Sequence, residues 1–163
     1  MDHFRRTTRT LINKSGVIQH KKAQNQMQEA EKILAKKGVR ITPMRLLVLE
    51  ALIKLEGSVG LSEMEQLLPR SDRVTIYRTL KTFSQNGIVH PIESGTTEVK
   101  YALCSAFCSA NEHLDKHPHF HCRKCDQIIC LETAEIPSLQ IPSGYQAEEI
   151  TMIVKGVCTS CQQ

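Results

Sequence analysis

Two matched cysteine pairs carry the clearest chemistry in this chain: Cys122-Arg123-Lys124-Cys125 and Cys158-Thr159-Ser160-Cys161, separated by 32 residues. A Cys-x-x-Cys pair on a tight turn presents both sulfurs to one point. Two such pairs complete a tetrahedral Zn²⁺ shell with no open position. A closed shell is structural, because it leaves no place for a catalytic water. A second set of donors lies close by. His113, His117, His119 and His121 crowd the stretch before Cys122, with His90 and Cys104 upstream. Imidazole with thiolate suits zinc first, then iron, copper or nickel. The donors therefore read as two metal sites, one permanent and one exchangeable.

Composition narrows the setting. A chain of 163 residues permits one domain or two small ones, and a small core gains from a metal clip. No run approaches the ~18 apolar residues of a membrane span, and the opening Met1-Asp2-His3-Phe4-Arg5-Arg6 lacks a signal peptide's apolar stretch. Cytoplasmic placement is expected, and there seven cysteines favour metal over disulfides. Net charge is +4, with most of the 21 Lys and Arg residues in positions 1–90. A basic half joined to a Cys/His-rich half suggests a polyanion-binding unit linked to a metal-binding one.

The elements that must position these residues follow from period and punctuation. Residues 1–26 read as a basic flexible arm. Met27–Lys37 is a helix with Ala30, Ile33 and Leu34 on one face and Gly38 at its end. Thr42-Pro43 opens a second helix that runs through Leu49 and Leu52 to Gly57. Ser62-Glu63-Met64-Glu65 reads as a capping box for a short helix stopped by Pro69. A fourth helix runs from Asp72 to Gly87, its core stripe Ile76, Leu80 and Phe83 opposed by Arg78, Lys81 and Gln85, with Thr75 and Tyr77 to the sides.

Ile88–Glu93 and Glu98–Leu103 then alternate as a hairpin about Ser94-Gly95-Thr96-Thr97. Short helices followed by a hairpin give the sequence form of a winged helix-turn-helix, whose recognition helix enters the major groove. Beyond a boundary near 104–112, strands are expected at His119–Arg123, Gln127–Leu131 and Glu149–Val157, in a small α/β unit sealed by the cysteines. The expected class is α+β, with a winged-helix domain over 27–104 and a metal-binding dimerisation domain over 105–163.

In this order the pieces resemble the ferric uptake regulator family of metal-dependent bacterial transcription factors. The likeness rests on Gly38-Val39-Arg40-Ile41-Thr42-Pro43-Met44-Arg45, Arg73-Val74-Thr75-Ile76-Tyr77-Arg78-Thr79-Leu80, His117-Pro118-His119-Phe120-His121-Cys122-Arg123-Lys124-Cys125 and the closing Gly156-Val157-Cys158-Thr159-Ser160-Cys161. It implies a homodimer on a palindromic, AT-rich DNA operator, with no membrane partner. DNA contacts carry over to Tyr77 and Arg78 on the recognition helix, beside Thr75, and to Arg45 on the backbone.

Iron-sensing members have a histidine and a glutamate where this chain has Gly60 and Ala102. A further family site falls on Ile150, Lys116 and Pro118, which lack its ligands. The remaining donors are similar to the zinc uptake regulator branch, which implies a regulatory divalent ion, zinc, on His90, Cys104, His117 and His119. Cys108, His113 and Cys130 are alternatives for the fourth place. An iron- or peroxide-responsive regulator of the same family remains the competing expectation. A non-catalytic zinc-ribbon adaptor leaves the basic helix unexplained. An enzyme is not expected, since neither the deaminase motifs nor His-Glu-x-x-His occurs.

Overall fold

The computed structural model describes residues 24–55, 57–93, 95, 98–104, 117–135, 137–148 and 150–162. Residues 24–36 form α1, so three positions assigned by sequence to the arm are helical. Then follow α2 (Pro43–Lys54), β1 (Val59–Gly60), α3 (Leu61–Leu67), α4 (Arg73–Gln85), β2 (Val89–Ile92) and β3 (Lys100–Leu103). The second half holds β4 (His119–Cys122), β5 (Ile128–Cys130), β6 (Ile153–Gly156) and a 3-10 turn at Thr159–Cys161. That turn is the helical element described beyond residue 117. The boundary expected near 104–112 lies mostly outside the described residues, as do Cys108 and His113.

Local chemistry explains the helix starts. Thr42 accepts from the Arg45 N–H at 3.4 Å with Pro43 in the first turn, and Asp72 accepts from the Thr75 N–H at 2.9 Å. The capping box of α3 is two residues earlier than the sequence suggested. Glu63 reaches back to the Gly60 N–H at 2.7 Å, while the Ser62 N–H and hydroxyl both donate to Glu98. Glu98 is distant in sequence, so no local pattern signalled it. α2 also ends at Lys54 rather than Gly57.

Apolar faces from the four described helices meet in one core. Ala30 and Leu34 of α1, Val48, Leu49 and Leu52 of α2, Met64 of α3 and Ile76, Leu80 and Phe83 of α4 are buried together. Each large side chain contributes roughly 1.5–3 kcal/mol by leaving water. The first sheet closes this core in the order β1-β3-β2, all antiparallel. β1, only two residues long, was too short for a periodic signal and was absent from the expectation.

The second sheet has the order β5-β4-β6, with β4 antiparallel to β5 and parallel to β6. The two sheets meet where the Ser58 N–H donates to the Ile128 carbonyl at 2.9 Å. Gly57 makes this approach possible: it sits at φ +131°, and a Cβ there would lie 2.9 Å from the Ile128 oxygen. Ile92, Ala102 and Ile128 form a small buried cluster across the joint, with Cys130 packed against it.

Candidate metal centres

β4 and β6 assemble the cysteine site. Their parallel register sets Cys122 opposite Gly156, so the chain leaving β6 delivers Cys158 beside Cys122. The Cys158 N–H donates to the Cys122 sulfur at 3.3 Å, and the Cys125 and Cys158 sulfurs are 3.8 Å apart. Cys161 completes a group whose sulfurs all lie within 4.8 Å of one another. A tetrahedral shell with Zn–S bonds of ~2.3 Å has S–S edges of about 3.8 Å, so these four residues fit zinc.

Their electrostatics agree. Backbone N–H groups, from Cys158 first and then Cys125, hold the Cys122 thiol down at about 6. Cys161 is pushed up to about 12, chiefly by the thiols of Cys158 and Cys125. Four adjacent sulfurs cannot all ionise unless a cation compensates them.

The second centre lies across the joint. His90 comes from β2, His119 from β4 and Cys130 from β5, with His117 just ahead of β4. His90 Nε2 is 3.2 Å from His119 Nε2, and Cys130 Sγ is 3.7 Å from the same His90 nitrogen. One donor atom from each of these four residues fits within a 4.8 Å span. Bonds of ~2.0–2.3 Å give tetrahedral edges of about 3.3 Å for N–N and 3.6 Å for N–S. The His117 Nε2 is buried without a hydrogen-bond partner among the described residues, a state that a metal bond would relieve. These residues also fit a zinc-like ion.

Three of the four residues expected in the regulatory set lie in this group. His90, His117 and His119 are brought together as expected, but with Cys130 rather than Cys104. The Cys104 sulfur lies 3.6 Å from Nδ1 of His90, the other ring nitrogen. One imidazole offers a given ion one nitrogen, so the two thiols, 3.6 Å and 3.7 Å from opposite ring nitrogens of His90, compete for one place beside an ion on that ring. Cys130 was one of the alternatives the sequence offered for the fourth place, and the hairpin folded about Cys122–Cys125 accounts for it by pairing residue 119 with 130. The two vacant iron-type positions lie in the first sheet, on β1 and β3. Gly60 has Glu98 oxygen only 2.5 Å from where its Cβ would stand, and Ala102 faces His90 in the β2–β3 ladder.

The remaining expected residues lie on α2 and α4. Ile76, Thr79, Leu80 and Phe83 point inward, whereas Thr75, Tyr77 and Arg78 are exposed. Tyr77 keeps 45 % of its surface. The Thr75 hydroxyl donates to Asp72 at 2.9 Å, so it also serves the helix cap. Arg45 is half-buried, and its guanidinium donates to the Arg40 carbonyl at 2.7 Å.

Fold and site together define a winged-helix DNA-binding protein with a four-cysteine group and a second imidazole–thiol cluster that could each hold a metal ion. The chain belongs to the ferric uptake regulator family, whose model matches residues 36–155, and it is accordingly a metal-responsive transcriptional regulator. It is 29% identical over 146 residues to the zinc uptake regulation protein of Escherichia coli K12, covering 85% of this chain and 82% of the relative. The peroxide-responsive repressor of Staphylococcus epidermidis is 26% identical over 147 residues, covering 85% and 92%. A zinc uptake regulator solved in complex with zinc and DNA superposes with a TM-score of 0.58 at 22% identity, covering 85% and 94%. Among the described residues no helix is long and apolar enough to cross a membrane.

Proposed function

We propose that this chain is a zinc-sensing repressor of metal-uptake genes, acting as a homodimer on a palindromic, AT-rich operator. The observation that carries the reading is the 3.2 Å approach of His90 in the wing to His119 in the second sheet, with the Cys130 thiol 3.7 Å away. When bound, a divalent ion would supply the positive centre that this donor set otherwise lacks. His90 would hold it from β2, and His117, His119 and Cys130 from the other side of the joint. Such a bridge fixes the wing, and with it the presentation of α4.

A two-fold dimer reads half-sites about one helical turn apart, so the angle between its recognition helices decides whether both engage. Operator binding must then raise metal affinity by the same factor that metal raises operator affinity. In this reading Tyr77 and Arg78 face bases, Thr75 lies at the start of the same helix, and Arg45 contacts phosphate. The DNA-binding unit spans about 27–104 and the dimerisation unit about 105–163, with the basic arm before them.

Metal stoichiometry of the full chain, read beside operator affinity under Zn²⁺, Fe²⁺ and Mn²⁺, tests this. Two zinc ions per chain and a zinc-dependent gain in affinity are expected. A response to iron but never to zinc overturns the zinc reading and assigns the chain to iron or peroxide sensing.

A further inference from the structure

At the end of the joint away from the imidazoles sits a buried positive charge. Lys100 of β3, its side chain 5% exposed, places Nζ 3.0 Å from Glu63 Oε1 on α3 and 3.5 Å from Asp126 Oδ2 in the cysteine knuckle. The other Asp126 oxygen is 2.6 Å from Nε2 of the buried His121. The chain Glu63–Lys100–Asp126–His121 therefore crosses from the winged helix to the second sheet. A buried ammonium destabilises unless it is paired, so this lysine needs both carboxylates where they are.

The lysine is buried while the Glu63 and Asp126 side chains keep 48% and 52% of their surface, and two further observations bear on the contact. Asp126 has φ 59°, and among the described residues it alone holds a positive φ without being glycine. Aspartate tolerates that region at a cost that glycine would avoid, so the carboxylate stands on backbone that favours glycine. The position is also aligned with the metal cluster. Lys100 and Ala102 stand on one face of β3, opposite Asp126 of the knuckle and Ile128 and Cys130 of β5. The ion pair lies at one end of this row and Cys130 at the other, with Ala102 and Ile128 packed between them.

We propose that Lys100 is an interdomain positioning residue: held between Glu63 and Asp126, it pins the winged-helix domain to the cysteine knuckle and so presets His90 against His119 and Cys130. This deepens the regulatory-metal reading and rests on it. Where only a fraction of molecules has the joint closed, apparent metal affinity falls by that fraction. The pin raises the fraction before any regulatory ion arrives. Without it, metal binding must also order the joint.

The test uses full-length wild type, Lys100→Met, Lys100→Arg, Asp126→Asn and the Lys100→Met/Asp126→Asn double variant. Asparagine is chosen because it tolerates the left-handed backbone while removing the charge. Zn²⁺ is titrated against a competing chelator, structural zinc content is counted, and hydrogen exchange of the Ser58 amide is followed in protein lacking the regulatory ion. That amide bonds the Ile128 carbonyl, so its exchange reports the joint without any metal.

The expected result is a roughly tenfold weaker regulatory site in Lys100→Met and in Asp126→Asn, within the usual span of coupled sites. The double variant should be no weaker than either single one, Ser58 exchange faster in all three, and Lys100→Arg close to wild type. Structural zinc should stay at one per chain. Unchanged Ser58 exchange and unchanged metal affinity in Lys100→Met, with only a lower melting temperature, would overturn the inference. If wild type itself takes up no second ion, the regulatory-metal reading fails, whereas a wild-type site unaffected by Lys100→Met sinks the pin alone.

Discussion

His119 and Cys130 stand directly opposite each other across β4 and β5, so a single ladder position places an imidazole and a thiol on the same sheet face. His90, on β2 of the other sheet, approaches both: its Nε2 lies 3.2 Å from His119 and 3.7 Å from Cys130. The cluster exists only where the two sheets touch. Any change in the angle between them alters the donor spacing, and metal ligation is correspondingly able to fix that angle.

Replacing the two thiols near His90 should give different signatures. With Co²⁺ in the regulatory site, Cys130→Ser should abolish the thiolate-to-metal charge-transfer band, because it removes a ligand. Cys104→Ser should keep the band while weakening affinity about 10–100-fold, the usual effect of losing a ring-orienting partner. The reverse pattern would return Cys104 to the shell and expel Cys130.

Loss of a clamp cysteine should be far more damaging. Zinc-finger peptides gain ~10 kcal/mol or more from such a site, so Cys125→Ser should lose one zinc per chain and unfold the second sheet. Dimerisation should fail with it. Sedimentation and metal analysis check this, and a folded dimer with unchanged zinc would refute the structural role.

On DNA, Arg78→Ala should cost roughly 1–3 kcal/mol and flatten preference at one operator position, as expected for a base contact. Tyr77→Phe should likewise change preference at a single position. Arg45→Ala should weaken all sequences alike and reduce the salt slope by about one. Anisotropy titrations at several salt concentrations separate these outcomes. Equal loss of specificity from Arg45→Ala and Tyr77→Phe would mean that α4 is not the reading helix.

The start of α4 should respond to pH. The Asp72 carboxyl lies below its ordinary 3.8, mainly because it accepts the Thr75 N–H and then the Thr75 hydroxyl. A depressed folded value stabilises the protein above the unfolded one, and that stabilisation disappears as pH falls through the folded value. Wild type should therefore exceed Asp72→Asn in stability at neutral pH, and the gap should close on acidification below 3.8. Urea midpoints across that range check the sign.

Much of this was legible from local chemistry. Thr42-Pro43 and Asp72 announced their helices because a cap side chain and its target N–H are three residues apart. The stripe Ile76, Leu80, Phe83 announced the buried face of α4 because the helical period is fixed by the backbone. The doubled Cys-x-x-Cys announced zinc because each pair already points two sulfurs at one ion. Glu98 was not legible as the partner of Ser62, since 36 residues separate them.

The sequence by itself determined the donor types and the caps at Thr42 and Asp72, since each depends on bond geometry within a few residues. Tertiary structure decided that Cys130 lies with the three imidazoles inside one 4.8 Å span. His90 offers one nitrogen toward Cys130 and the other toward Cys104, and sheet-to-sheet placement, not spacing along the chain, sets which nitrogen faces the shared centre. It also decided that Lys100, an ordinary strand lysine in sequence, is buried between two carboxylates from opposite sides of the joint. Contacts between residues far apart in the chain arise from packing two surfaces together, and no local period encodes them.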